Sequence, residues 1–225
     1  MRLNPAAKQF TEIGGTPILV HTLRKFETVP KVSEIVLALR PEDAAEFKVR
    51  LQREGLRKKI TVVEGGENRQ QSVANGLSKI DAEPGDLVLV HDAVRPFVDT
   101  ETIGSVIQAA ARHGAAIAGL PAVDTVKQVD RTADGAIVVA TIPRARVVMA
   151  QTPQGFRYGV LKGAFDSAQA DGFQGTDEAS LVERTGHAVA VVMGSPQNIK
   201  ITTPADLELA KFFLSQEQRR ASVTG

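Results

Sequence analysis

Short runs of Val, Ile and Leu recur along this chain, separated by stretches whose apolar residues return at helical spacing. A strand that is apolar on both faces must be covered on both faces, so this alternation implies an α/β fold with a parallel or mostly parallel sheet between helical layers. Residues 34–39, 59–63, 87–90, 115–120, 147–151 and 188–193 read as strands, with a short one over 198–201. Residues 16–27, 69–80, 100–113, 158–170 and 176–185 read as helices, Pro41 opens another, and Thr203-Pro204 starts the last. Thr100 is placed to cap its helix, and Thr176 followed by two acids has the same look. The polar tail after Gln216 is expected to fray. Over 123–142 the period changes to two on either side of Thr132-Ala133-Asp134-Gly135, where Asp-Gly is a turn signal, so a β-hairpin is expected to protrude.

No Pro-, Gly- or Ser-rich linker divides the 225 residues, 43% of which are hydrophobic, so one domain with one inserted hairpin is expected. Cysteine is absent, which excludes disulfides, thiolate nucleophiles and thiolate metal sites. The net charge of +1 and the 4% aromatic content provide neither a field nor stacking platforms for nucleic acid. With no long apolar run and no secretory pattern at the start, a cytoplasmic, soluble protein is expected. There is no G-x-x-x-x-G-K-[ST] loop, no G-x-G-x-x-G fingerprint and no H-E-x-x-H site. Phosphate recognition, if present, must be built locally from a few placed groups.

Five segments could build it. Gly65-Gly66-Glu67-Asn68-Arg69, with Ser72, joins a strand to a helix, where bare amides favour an anion or a carbonyl-rich base. A plain turn with Asn68 as cap and Arg69 solvated explains it equally well. His91-Asp92-Ala93-Val94-Arg95-Pro96 follows the most apolar strand, at the end where open α/β sheets bind ligands. Asp92 there can hold a metal or a ribose and Arg95 a phosphate, or the two simply pair; His91 reads as a satisfied, partly buried ring. Thr125, Lys127, Arg144 and Thr152 could grip a phosphate, although exposed hairpin charges are usually only solvated. Thr176-Asp177-Glu178 is adequately explained by helix capping. Lys200, inside an apolar run, must reach solvent or find an anion.

Taken in order, Lys8-Gln9-Phe10, the Gly65–Ser72 segment, His91 to Pro96, Asp124-Thr125-Val126-Lys127, Thr152-Pro153-Gln154, Thr176 to Ser180 and Asn198-Ile199-Lys200 resemble the 2-C-methyl-D-erythritol 4-phosphate cytidylyltransferases. The resemblance runs from Lys8 to about Phe213. It implies a three-layer α/β/α Rossmann-like nucleotide-diphosphosugar transferase fold, with a mostly parallel mixed sheet and a hairpin arm over about 123–144. It further implies CTP and a methylerythritol phosphate as substrates, Mg²⁺, and a homodimer formed through the arm. Lys8 and Lys200 match catalytic lysines beside the α-phosphate. Gly65, Gly66, Glu67, Arg69 and Ser72 match nucleotide-binding positions, as do Asp92 and Ala93, with Asp92 also nearest the metal-bound phosphates. Arg95, Thr125, Thr152 and Thr176 match positions that grip the polyol phosphate, and Arg144 one that reaches across the dimer. A ribitol 5-phosphate cytidylyltransferase and a catalytically impaired CTP-binding homologue share this outline.

The family opens with a strand and a loop of the type P-A-A-G-x-G-x-R-M. Here Pro5-Ala6-Ala7 echoes three letters, and Met1 aligns with the Met of the R-M pair. The expectation is therefore a late start: low transferase activity from the 225 residues, restored by an upstream strand and loop, with equal pyrophosphate release from both forms refuting it.

Overall fold

The computed structural model describes residues 8–224; Met1 and Pro5-Ala6-Ala7 lie outside them. A 3₁₀ turn at Lys8–Phe10 leads into a small ladder of β1 (Glu12–Ile13) and β2 (Thr16–Pro17), then α1 (Ile18–Glu27), β3 (Glu34–Leu39), α2 (Pro41–Leu51), β4 (Lys59–Glu64) and α3 (Arg69–Leu77). Next come β5 (Leu87–Val90), α4 (Thr100–His113), β6 (Ala115–Pro121), and the arm strands β7 (Val126–Thr132) and β8 (Gly135–Ile142). After a 3₁₀ turn at Arg144–Arg146 the chain forms β9 (Val148–Arg157), α5 (Tyr158–Asp171), α6 (Glu178–Arg184), β10 (Ala190–Met193) and α7 (Pro204–Thr224).

Among the described residues β10, β6, β9 and β5 form a four-stranded sheet in that order, while β3 and β4 pair in parallel beside it. Strand β10 runs parallel to β6, and β9 runs antiparallel to both β6 and β5, so one reversed strand makes an otherwise parallel sheet mixed. The continuous apolar run of β5 shows why both faces are covered. Val88 and Val90 pack with α5 and α6, whereas Leu87 and Leu89 pack against the cluster of Phe26 from α1 and Ile103 and Ile107 from α4. Successive side chains thus enter two different cores, which is the three-layer arrangement.

Several boundaries differ from expectation. The cap of α4 is Asp99, whose Oδ1 accepts from Thr102 N, and that of α6 is Asp177, accepting from Ser180 N, so neither Thr100 nor Thr176 caps. In each case the carboxylate beside the threonine, Asp99 before Thr100 and Asp177 after Thr176, is the group that reaches the orphan amides. Residues 198–201 form no strand, because the Asn198 side chain hooks the Thr152 carbonyl at 2.8 Å and Arg95 holds the Asn198 carbonyl at 2.7 Å. Past Gln216 the chain continues as α7, with Lys25 paired to Glu217, instead of fraying. In the arm, Thr132 pairs directly with Gly135, so the turn residues are Ala133-Asp134 and Gly135 already belongs to β8.

Candidate active site

The carboxyl end of β5 delivers Asp92 into a ring of cations. Its Oδ1 accepts from Arg69 Nε at 3.2 Å, and its Oδ2 lies 3.3 Å from Arg95 Nε and 3.0 Å from Lys200 Nζ. Arg69 arrives from the first turn of α3, placed there by the Asn68 cap, whose side chain accepts from Gln71 N. Lys200 arrives from the loop before α7, pinned where Ile201 N donates to the Val94 carbonyl. Burial pushes the Asp92 carboxyl up, yet Lys200, Arg69 and Arg95 outweigh it and hold it well below the usual carboxylate range. A carboxylate that stays charged under three cations leaves a net positive pocket, the condition for holding a polyphosphate.

Beneath Asp92 the proton pattern can be read from the partners. His91 Nε2 sits 3.1 Å from the Arg95 carbonyl, which only accepts, so Nε2 carries the hydrogen. Burial, with Arg95 and Arg69 nearby, pushes the ring down to about 4 despite the Arg95 carbonyl and Asp92, so it is neutral and Nδ1 is an acceptor. Thr152 Oγ1 therefore donates to Nδ1 at 3.0 Å and accepts from the Asp92 amide at 3.0 Å. His91 is a satisfied ring, as the sequence implied, further packed on Phe26 at 4.8 Å between centroids.

Gly65 and Gly66 bring the loop after β4 close to α3. Gly65 N donates to the Leu39 carbonyl and Gly66 N to Ser72 Oγ, and a Cβ at Gly66 would run into Gln71 Cβ and Cγ. Both amides are thus spent inside the protein. Glu67 is exposed beside them, and Ala93 is tied in where its carbonyl accepts from Thr22 Oγ1.

Other expected residues fall outside this cluster. Lys8 opens the first 3₁₀ turn, half-buried, and makes no ion pair among the described residues. Thr125 is exposed ahead of β7, Thr176 is exposed ahead of α6, and Arg144 Nη1 donates to the Val123 carbonyl at the base of the arm. Lys127 donates to Thr141 across the arm.

Three buried polar residues stand inside motifs that the sequence marked, without a role of their own there. Glu178 Oε1 takes Arg69 Nη1 at 2.7 Å; Gln154 joins Asp177 Oδ2 to the Ala179 amide; Asn198 ties the Lys200 loop to β9. Polar side chains that are 1% exposed or less leave no hydrophobic signature, and only the acid after the Asp177 cap offered a hint.

Among the described residues no helix is long and apolar enough to cross a membrane and no group of three or more His, Asp or Glu gathers where a metal could sit. A family model described as 2-C-methyl-D-erythritol 4-phosphate cytidylyltransferase matches residues 2–216. A relative of that name from Acidobacterium capsulatum is 55% identical over 213 residues, covering 95% of this chain and 89% of its own length. Another from Solibacter usitatus is 51% identical over 217 residues, 96% of this chain and 88% of its own. The crystal structure of 4-diphosphocytidyl-2C-methyl-D-erythritol synthase from Anaerococcus prevotii superposes with a TM-score of 0.82 at 34% identity, covering 91% of this chain and 88% of that one. A match spanning nearly the whole chain, together with cations and one carboxylate converging at the tip of β5, places it: the chain belongs to the 2-C-methyl-D-erythritol 4-phosphate cytidylyltransferase family.

Proposed function

We propose that this protein transfers CMP from CTP to 2-C-methyl-D-erythritol 4-phosphate, giving 4-diphosphocytidyl-2-C-methyl-D-erythritol and pyrophosphate. A phosphate oxygen of the polyol attacks the α-phosphorus of CTP in line; the new P–O bond forms as the bond to the β-phosphate oxygen breaks. The nucleophile is already anionic, so no general base is required, and His91, neutral and doubly bonded, is free of that role. What the reaction needs is positive charge around a crowded polyphosphate. The observation that carries the reading is the salt-bridged cluster in which Lys200, Arg95 and Arg69 share Asp92.

In this reading Lys200 leaves Asp92 for the α-phosphate and Lys8 supports the same charge. Cytosine differs from uracil in donating an amino hydrogen where uracil accepts. Because the Gly65 and Gly66 amides are used internally, their carbonyls are the groups left to read that difference. Glu67, Ser72 and Ala93 border the nucleoside, while Arg95 and Thr176 take the polyol phosphate and Thr152, whose hydroxyl is bonded to His91 and to the Asp92 amide, holds the strand tip beneath it. Thr125 and Arg144 serve the site of a second copy, joined through the arm. Val123, Ile137, Val138 and Val139 are exposed on the arm, an apolar surface of the kind a partner covers. No three carboxylates or histidines gather among the described residues, so a Mg²⁺ ion here would take Asp92 as its protein ligand once Lys200 leaves Oδ2, with nucleotide phosphates and water as the rest, and would neutralise charge on the leaving pyrophosphate. A single domain in the cytoplasm completes the proposal.

Pyrophosphate release from CTP, tested with methylerythritol phosphate and with ribitol 5-phosphate, decides the activity, alongside calorimetric CTP binding. Faster turnover of ribitol 5-phosphate, or CTP binding without turnover, would sink the proposal.

A further inference from the structure

Helix α6 begins with an acid that its cap does not require. Asp177 and Ser180 already close the capping box, and Gln154, 1% exposed, fastens that helix end to β9. Glu178 is nonetheless buried to 1% exposure, with Oε1 on Arg69 and Oε2 without a partner. A buried, half-satisfied carboxylate opposes stability, and a glutamine of the same shape would avoid burying a charge. Its place there, paired to Arg69, points to something that only the charge supplies.

The ring around Asp92 indicates what that is. Three cations face two carboxylate oxygens, and Arg69, with a fork of donors, could take both. With Nη1 anchored 2.7 Å from Glu178, the guanidinium is held in an orientation in which Nε, at Oδ1, is its one bond to Asp92, instead of the parallel Nε and Nη2 pair taking both oxygens. Oδ2 is left to Arg95 and to Lys200, the most exposed of the three cations. We infer that Glu178 is a positioning residue for the transfer site: by holding Arg69 to one edge of Asp92, it reserves the other edge for Lys200 and for the ligand that displaces it. This deepens the cytidylyl-transfer proposal and rests on it for the meaning of "ligand", although the Glu178–Arg69–Asp92–Lys200 linkage is a property of the protein alone.

The test separates the two. Lys200 reactivity toward acetic anhydride, read by mass spectrometry against Lys162, needs no substrate. In Glu178→Gln, Arg69 swings onto Oδ2 and Lys200 is released, so its acylation should rise about threefold, the equivalent of losing a half-exposed ion pair. In Arg69→Gln it should not rise, and adding Glu178→Gln to that variant should change nothing further. A merely structural Glu178 would instead lower the unfolding midpoint without this dependence on Arg69. With substrates, Glu178→Gln should raise the KM for CTP roughly tenfold, as expected when a charge-assisted contact is misplaced, and leave that for the polyol phosphate within about twofold. Unchanged Lys200 acylation in Glu178→Gln overturns the inference, and if that variant does not fold, a rise in Arg69→Gln overturns it from the other end. Absence of CTP binding by the parent, with the acylation pattern intact, would overturn the cytidylyl-transfer reading and leave the positioning linkage standing.

Discussion

The tip of β5 and the arm formed by β7 and β8 both carry cationic residues that the sequence marked, yet the fold treats them in opposite ways. At the strand tip every charge meets its counterpart within the chain: Asp92 is shared by Arg69, Arg95 and Lys200, and Arg69 reaches on to Glu178. On the arm, Arg144 and Lys127 bond only to the arm's own carbonyl and hydroxyl groups, and Ile137 and Val138 are more than half exposed. A pocket whose fixed charges are already paired is organised before a ligand arrives and pays little reorganisation when one does. An arm that leaves apolar surface in water is finished by something outside its own chain. The difference separates chemistry from assembly.

The largest expected effect falls on the strand tip. Replacing Lys200 by Ala should lower kcat by about 10² to 10³, the usual loss when one preorganised group facing developing charge is removed. Because the Lys200 side chain is 40% exposed, stability should change by less than about 1 kcal/mol. Arg144→Ala should cost roughly tenfold in KM for the polyol phosphate and leave kcat nearly intact. Steady-state pyrophosphate release on both variants measures the contrast; equal kcat losses would erase the distinction drawn here.

Much of this was legible because local rules agree with the fold. Residues 34–39, 87–90 and 100–113 were bounded correctly: apolar runs stop at polar residues there, and Pro41 can only start α2. Asp92 and Arg95 were legible for the same reason, lying where the strand ends. Arg69 was ambiguous, since its partners Asp92 and Glu178 are 23 and 109 residues away and no local pattern announces them. The strand expected over 198–201 failed because Ile199-Lys200-Ile201 imitates alternation while the side chain of Asn198 and the guanidinium of Arg95 draw the backbone out of any ladder. Asp99 and Asp177 were overlooked as caps because a neighbouring Thr satisfied the same rule.

Acid should discriminate between the two regions next. His91 is held at about 4 in the folded protein against 6.5 unfolded. Above pH 6.5 both states are neutral and no difference arises. Between 6.5 and about 4 the unfolded chain binds a proton that the folded one refuses, so stability falls as pH falls, by about 3 kcal/mol at the lower end. Residues 123–146 contain no histidine, so the arm contributes nothing to that slope. Urea unfolding at pH 7, 5.5 and 4, compared with His91→Gln, isolates the term as a difference, and a flat difference curve would show that the ring is solvated.

The smallest effect probes whether the arm belongs to the same cooperative unit as the strand tip, and two glycines supply the matched pair. At Gly66 an added Cβ meets Gln71 inside the β4–α3 turn, so Gly66→Ala should destabilise the whole protein by about 1–3 kcal/mol, as overpacking does. At Gly135 an added Cβ meets open space, and the only penalty is the backbone, held at φ +144°, where L-residues are strained by roughly 1 kcal/mol. If the arm opens independently of the core, that penalty stays local. Amide exchange within 126–142 should then quicken about fivefold in Gly135→Ala, while exchange in β5 and the global unfolding midpoint stay where they were. A fall of several degrees in that midpoint would instead join the arm to the core, and the exposed face of β7 and β8 would have to be read as part of one folding unit with the site at the strand tip.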